Sequence, residues 1–305
     1  MEAIKNLNST ALVGTLQQSI DAFSPLLEAR RKTIESAKRE TFQYGSTERQ
    51  SLDVYYPPGP VGDTDKKPPI LIYVYGGGFT TGERIYPPPL DLVHKNVGAF
   101  FASRGILTVI PDYRLAPQAV YPDPVEDVRD AFRFVVANLA DAGDTSRVFF
   151  TAHSSGGSIV LSMLLSEDPQ FINLDEMRAH IRGVAPRGAG YHYDYNVLPK
   201  VVLPTIDKFF GSEELAAQRS PFYLLKVASK ERLESFPRML VMRSENEPPY
   251  LIPETEFVAL FEERTGRNVE INVAKGHVHM SAHWALNSGE GEEWGEDLAK
   301  WVKSE

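Results

Sequence analysis

Apolar residues recur along this chain with a spacing that changes from stretch to stretch, and the changes outline its elements. From Ile4 to about Lys38, the residues Leu7, Ala11, Leu12, Leu16, Ile20, Phe23, Leu26, Leu27 and Ile34 return at roughly three- and four-residue intervals, which predicts two amphipathic helices broken at Pro25. Glu40-Tyr44 and Ser51-Tyr56 read as a leading hairpin, followed by a Pro-, Gly- and charge-rich surface loop from Pro57 to Pro69. Ile70 to Tyr75 is an unbroken apolar run. A strand covered on both faces has that signature, and it implies a parallel sheet held between helices. Further helices are predicted around Leu90-Ala102, from near Pro124 through Val136, from Ser158 to Leu165, from Pro253 to Thr265 and around Trp294-Val302. Further strands are predicted at Ile106-Ile110, Arg147-Ala152, Ile181-Ala185, Arg238-Arg243 and Val269-Ala274.

Strand and helix alternate throughout, so the fold class is α/β, a mostly parallel sheet with helices on both faces. The alternation fails from about Tyr191 to Ser235, where Tyr191, His192, Tyr193, Tyr195, Phe209, Phe210, Phe222 and Tyr223 are interspersed with Pro199, Pro204 and Pro221. An aromatic, irregular stretch after a strand end reads as a helical cap over a site. The expected division is therefore N-terminal helices joining the cap at 1–40, the first part of the core at 41–190, the cap insertion at 191–235 and the rest of the core at 236–305.

Composition narrows the partners. Of 305 residues, 42% are hydrophobic and 24% charged, the balance of a soluble globular protein with a sizeable core. A formal net charge of -9 argues against nucleic acid and anionic membranes, both of which call for a basic face. The opening run to Ser24 mixes Glu2, Lys5, Gln17, Gln18 and Asp21 among its apolar residues, so neither a signal-peptide core nor a membrane span is expected, and cytoplasm is the default location. The absence of cysteine removes disulfides, thiolate chemistry and Cys-ligated zinc. The carboxylates Asp123, Glu126, Asp127 and Asp130 open a helix, where the dipole favours them, and are not read as a metal site. No metal or other cofactor is expected. The sequence sets no oligomeric state and leaves a homodimer open.

The chemistry centres on Thr151-Ala152-His153-Ser154-Ser155-Gly156-Gly157, between a predicted strand and a predicted helix. A serine hydroxyl becomes a usable nucleophile when a sharp turn lifts it clear of the backbone, and such a turn needs small residues two before and two after. Ala152 and Gly156 supply them for Ser154. For Ser155 the same positions fall on His153 and Gly157, and an imidazole does not fit. Gly76-Gly77-Gly78-Phe79 follows the strand Ile70-Tyr75, and glycines there let backbone amides face a ligand, as an oxyanion hole requires. The last two strands are followed by Ser244-Glu245-Asn246-Glu247 and Lys275-Gly276-His277-Val278-His279. Nucleophile, acid and histidine thus come in the order of a Ser, Asp/Glu, His triad at the carboxyl ends of parallel strands. Glu247 is the favoured acid with Glu245 its rival, and His279 the favoured base with His277 its rival. A metal site of His277, His279 and His283 is the lesser alternative.

Several of these motifs resemble one family. Tyr75-Gly76-Gly77-Gly78-Phe79, Asp112-Tyr113-Arg114-Leu115-Ala116-Pro117, His153-Ser154-Ser155-Gly156-Gly157, Glu247-Pro248 and Gly276-His277-Val278-His279 are similar, in that order, to the motifs of the hormone-sensitive-lipase-like carboxylesterase branch of the α/β-hydrolases. The likeness runs from about Leu52 to the C-terminus. It implies an α/β-hydrolase fold with a cap, and cofactor-free hydrolysis of carboxylic esters by Ser154, Glu247 and His279. It also implies oxyanion donors at Gly77, Gly78 and Ser155. Tyr75, Ala152, His153 and Glu247 stand where that branch carries His, Gly, Asp and, more commonly, Asp.

The function expected is that of a serine esterase acting through an acyl-enzyme on a small, apolar ester, with Tyr75, Phe79, Tyr191 and His192 in the substrate pocket. Amide, formamide or lactone hydrolysis and acyl transfer are alternatives on the same residues. A non-catalytic small-molecule receptor that kept the hydrolase shell is the alternative of another class.

Overall fold

The computed structural model describes residues 2–5, 7, 12–59, 66–247 and 253–304. The central part of the expected loop from Pro57 to Pro69, together with Ala11, Pro248 and Pro249, lies outside the described residues. In chain order the elements begin with α1 (Leu12–Ala29), α2 (Arg31–Glu35), β1 (Arg39–Gln43), β2 (Ser51–Tyr55), β3 (Pro69–Val74), α3 (Lys95–Ala102), β4 (Leu107–Pro111), α4 (Asp123–Asn138) and β5 (Asp144–His153). They continue with α5 (Ser155–Leu165), α6 (Leu174–His180), β6 (Ile181–Arg187), α7 (Leu203–Phe210), α8 (Glu213–Gln218), α9 (Pro221–Val227) and α10 (Lys230–Ser235). The last are β7 (Arg238–Asn246), α11 (Pro253–Thr265), β8 (Glu270–Val278), α12 (Ser281–Ala285) and α13 (Glu293–Lys303).

Among the described residues one sheet runs in the order β1-β2-β4-β3-β5-β6-β7-β8. The hairpin β1–β2 and the β2–β4 pair are antiparallel, and every later pair is parallel. The apolar run of β3 is buried at every position, as a central strand flanked by β4 and β5 and covered on both faces must be. At the far edge β1 exposes Arg39, Glu40 and Thr41, and charged side chains there discourage pairing with another chain.

Pro25 does not break the first helix. It lies inside α1, and the break falls at Arg30 instead. A proline forfeits one backbone hydrogen bond, but Phe23 and Leu27 on either side of it are buried in a cluster with Val278 and Trp284, which holds both turns in line. Packing therefore overrides local propensity, and α1 braces the chain that leads into His279. The stretch expected to be irregular, 191–235, does carry helices, the four short ones α7 to α10. Ser212, Ser220 and Ser229 cap three of them through their hydroxyls, which lets short helices begin between prolines and turns.

Candidate active site

Ser154 stands between β5 and α5 with φ 52° and ψ -123°, a left-handed conformation unusual for a residue with a side chain. The turn that imposes this strain brings α5 hard against the end of β3. A Cβ on Gly156 would lie 2.3 Å from the Tyr75 carbonyl oxygen and 2.4 Å from that of Val74, so no larger residue fits. Ala152 is buried on the other side of the crossing. The strain falls on Ser154 and not on Ser155, whose side chain turns inward.

β8 runs on past the expected Ala274 to Val278, and His279 follows at its carboxyl end. Its Nδ1 lies 2.8 Å from Oε2 of Glu247, which follows the similarly extended β7. The Ser244 N–H donates to the other Glu247 oxygen, Oε1, at 3.1 Å. Burial works to raise the Glu247 carboxyl, but the imidazole, that N–H and the charge of Arg187 outweigh it and hold the group below the usual range. Glu245 is turned away. It accepts from Gly276 N–H at 2.8 Å and from Lys275 Nζ at 3.2 Å on the exposed surface. His277 has both ring nitrogens occupied, Nδ1 by the Ser281 hydroxyl and Nε2 by the Gly291 carbonyl, each at 2.8 Å. His283 accepts at Nδ1 from Arg187 Nη2 at 3.0 Å. The three histidines thus face different partners.

Arg187 is a residue that sequence reading did not single out. It ends β6 fully buried, and its Nη1 donates to the His279 carbonyl at 3.2 Å. His153 Nε2 meets the same carbonyl at 3.0 Å, with its ring 4.7 Å from that of His279. Burial, reinforced by the Arg187 charge, pushes His153 and His283 well below the ordinary imidazole range, so both remain neutral supports.

Glu254 is a second carboxyl buried near this pair, with Oε1 3.4 Å from Arg243 Nη1. Burial, opposed by Arg243 and assisted by the Glu247 charge, raises it from 4.5 to about 7. The folded value lies above the unfolded one, so stability falls as pH rises from about 4.5 through about 7. Glu254→Gln is expected to be close to neutral near pH 4 and to stabilise by about 1–3 kcal/mol near pH 8, read by urea unfolding at both pH values. An equal gain at both would show that charge is not the cause.

Gly77, Gly78 and Phe79 form the loop beyond β3. Gly77 has φ 154°, and a Cβ there would lie 2.0 Å from the Thr81 carbonyl oxygen, so this position admits only glycine. The Gly77 N–H donates to Ser155 Oγ at 3.1 Å. Tyr75 departs from expectation: it does not line the pocket. Its phenol is fully buried behind the loop, donating to Asp112 Oδ1 at 2.6 Å and accepting from Arg49 Nη2 at 2.9 Å, with Arg84 paired to the same Asp112. The Asp112-Tyr113-Arg114 stretch clamps the loop and its surroundings. Tyr113 donates to the Tyr75 carbonyl at 2.9 Å, Arg114 forks onto buried Asp127, and Ala116 N–H holds the Phe79 carbonyl at 3.0 Å. Asp127 is thus a buried ion-pair partner, whereas Asp123 and Glu126 occupy the first turn of α4 as expected.

A cavity of about 460 Å³ brings Gly77, Gly78, Phe79, Ser154, Ser155, Tyr191, His192 and His279 to one surface. Its remaining wall is mostly apolar, with Leu198, Val201, Val202 and Ile206 from the stretch after β6 and Leu16 from α1. Phe79 stacks on Phe209 of α7 with ring centroids 4.0 Å apart, so the loop and the 191–235 segment pack directly together. Two of the wall's side-chain hydroxyls, those of Ser158 and Tyr193, are paired with each other at 2.8 Å, and Ser158 donates to the Gly190 carbonyl. No group of three or more His, Asp or Glu side chains that could hold a metal occurs among the described residues.

A parallel sheet with a strained serine elbow after one strand and a carboxylate–imidazole pair after two later ones defines the α/β-hydrolase class of proteins. A family model described as alpha/beta hydrolase fold matches residues 71–283, and the chain belongs to that family, in its carboxylesterase-like branch. Among curated relatives it is 32% identical over 125 residues to tuliposide A-converting enzyme b1, amyloplastic, of Tulipa gesneriana, covering 37% of this chain and 32% of that one. It is 34% identical over 118 residues to probable carboxylesterase 7 of Arabidopsis thaliana, covering 36% of each. The matched stretch thus spans about a third of these relatives. The fold is similar to that of the Pyrobaculum calidifontis esterase, with a TM-score of 0.68 at 20% identity over 99% of this chain and 96% of that one. No helix among the described residues is long and apolar enough to cross a membrane.

Proposed function

We propose that this protein hydrolyses carboxylic esters of small, apolar acids through an acyl-enzyme on Ser154. The observation that carries this reading is the 2.8 Å pair of His279 Nδ1 and Glu247 Oε2, opening onto the same apolar cavity as a serine held at a strained elbow. With Nδ1–H donated to Glu247, the tautomer leaves Nε2 of His279 free to accept a proton. Ser154 Oγ bonds to the ester carbonyl carbon as its proton passes to Nε2, and the carbonyl electron pair moves onto oxygen. Amides of Gly78 and Ser155 stabilise that oxyanion, the expected third donor, the Gly77 N–H, being taken by Ser155 Oγ. The C–O bond to the alcohol then breaks, and the alcohol leaves with the proton from His279. Water attacks the acyl-enzyme, giving a proton to His279 that returns to Ser154 as the carboxylic acid departs. No metal or cofactor enters any step.

The apolar wall and the mutually satisfied Ser158 and Tyr193 hydroxyls support an uncharged acyl or aryl group as the part of the substrate that enters the cavity. The name of the Arabidopsis thaliana relative, probable carboxylesterase 7, agrees with an esterase. The test is turnover of para-nitrophenyl esters from acetate to laurate, beside an N-formyl arylamine and a lactone. Ester turnover is expected to dominate and to fall sharply for acyl chains carrying a carboxylate. Faster turnover of the N-formyl or lactone substrate than of any ester would move the assignment to that chemistry. Tight binding of such compounds without turnover would make the protein a receptor.

A further inference from the structure

Tyr75 turns its side chain away from the loop that follows it, so position 75 does not reach Gly77. The loop is held from the opposite side. Gly77 N–H donates to Ser155 Oγ at 3.1 Å, and the Tyr113 phenol donates to the Tyr75 carbonyl at 2.9 Å. The first bond is a brace that ties a loop amide to the residue after the nucleophile. The second fixes the backbone one residue before Gly76. Tyr113 is itself fixed, stacked on Tyr75 with ring centroids 5.0 Å apart and with its carbonyl accepting from Arg49 Nε at 2.8 Å. An alanine at 155 would keep the elbow's backbone amide and lose the brace.

We infer that the Ser155 hydroxyl is a positioning group of the site, locking the Gly77–Gly78 backbone to the nucleophile elbow, with the Tyr113 phenol holding the backbone at the entry to that loop. The inference rests on the esterase reading above and deepens it. A backbone amide stabilises a developing oxyanion only when it is already aimed at it, and a misplacement of about 1 Å can cost on the order of a hundredfold in rate. The Gly77 amide serves as the anchor of the loop, leaving the Gly78 and Ser155 amides as the pair to be aimed at the oxyanion. Both Ser155 and Tyr113 act through the loop and not on the substrate, so their loss should appear in kcat with little change in KM.

The experiment measures kcat and KM for para-nitrophenyl butyrate in wild type, Ser155→Ala, Tyr113→Phe and the double variant, with Ser154→Ala run beside them and thermal unfolding recorded for each. Each single variant is expected to lower kcat about ten- to a hundredfold, with KM within about threefold. The double variant is expected to be slower than either single one, because the two bonds hold the loop at different points. Tyr113→Phe removes only a hydroxyl at a distance from the nucleophile, so it keeps the test decisive should Ser155→Ala lose stability. Unchanged or faster kcat in both single variants, or an effect confined to KM, would each overturn the inference. Ester turnover that survives Ser154→Ala would instead overturn the esterase reading itself.

Discussion

Replacing Ser154 with alanine is expected to lower kcat for a para-nitrophenyl ester by about a millionfold, to the residual rate that binding and backbone amides alone supply. The same change should abolish labelling by a fluorophosphonate, while the wild type is labelled on the peptide that contains Ser154 and Ser155. The size of the effect follows from the division of labour in the proposed mechanism. In that mechanism His279 takes its proton from the Ser154 hydroxyl, so deleting the hydroxyl idles the whole relay. Ser155 cannot replace it, since its hydroxyl is engaged by the Gly77 N–H and its backbone is already helical. Equal labelling of wild type and Ser154→Ala would refute the assignment of the nucleophile.

The second large effect is expected at Glu247. Glu247→Gln keeps the shape of the side chain but offers His279 Nδ1 an amide in place of a carboxylate. The imidazole can then take the wrong tautomer, and the imidazolium formed during attack loses its counter-charge. A loss of about ten-thousandfold in kcat is expected, on the scale of the corresponding change in other triads. Glu245→Gln should leave kcat within about twofold, because among the described residues Glu245 bonds Lys275 and Gly276 at the surface, away from His279. Steady-state kinetics on the two variants decides between the carboxylates, and the reverse ranking would move the acid to Glu245.

Much of this was legible along the chain because the signals are local. The continuous apolar run of β3 and the strand–helix alternation follow from burial on both faces of a parallel sheet. The elbow follows from the need for small residues on either side of a tight crossing, which is why Gly156 meets two carbonyl oxygens of β3 and its neighbour. Other features failed to show for equally physical reasons. Pro25 looked like a helix break since sequence carries the missing N–H but not the packing of Phe23 and Leu27 that outweighs it. Tyr75 looked like a pocket residue because its position in the strand leaves its orientation open. Arg49, Arg84 and Asp112, distant in sequence, supply the polar partners that draw the phenol inward. Arg187 carried no signal, because a buried arginine reads in sequence like any exposed one.

The amino-acid order alone determined the α/β class, the place of the elbow and the candidate groups at successive strand ends, since each depends on spacing within a few residues. Which of those groups meet was decided only by the fold. Glu245 and Glu247 lie two residues apart, yet the pairing of β7 with β8 shifts register between Ser244 and Asn246, and the two carboxylates part company, one to the surface and one to His279. The bonds of Ser155 to Gly77 and of Tyr113 to Tyr75 likewise join segments about eighty and forty residues apart. Short-range pattern fixes an element and the face it buries, whereas a hydrogen bond between distant side chains exists only once the sheet has set their strands side by side.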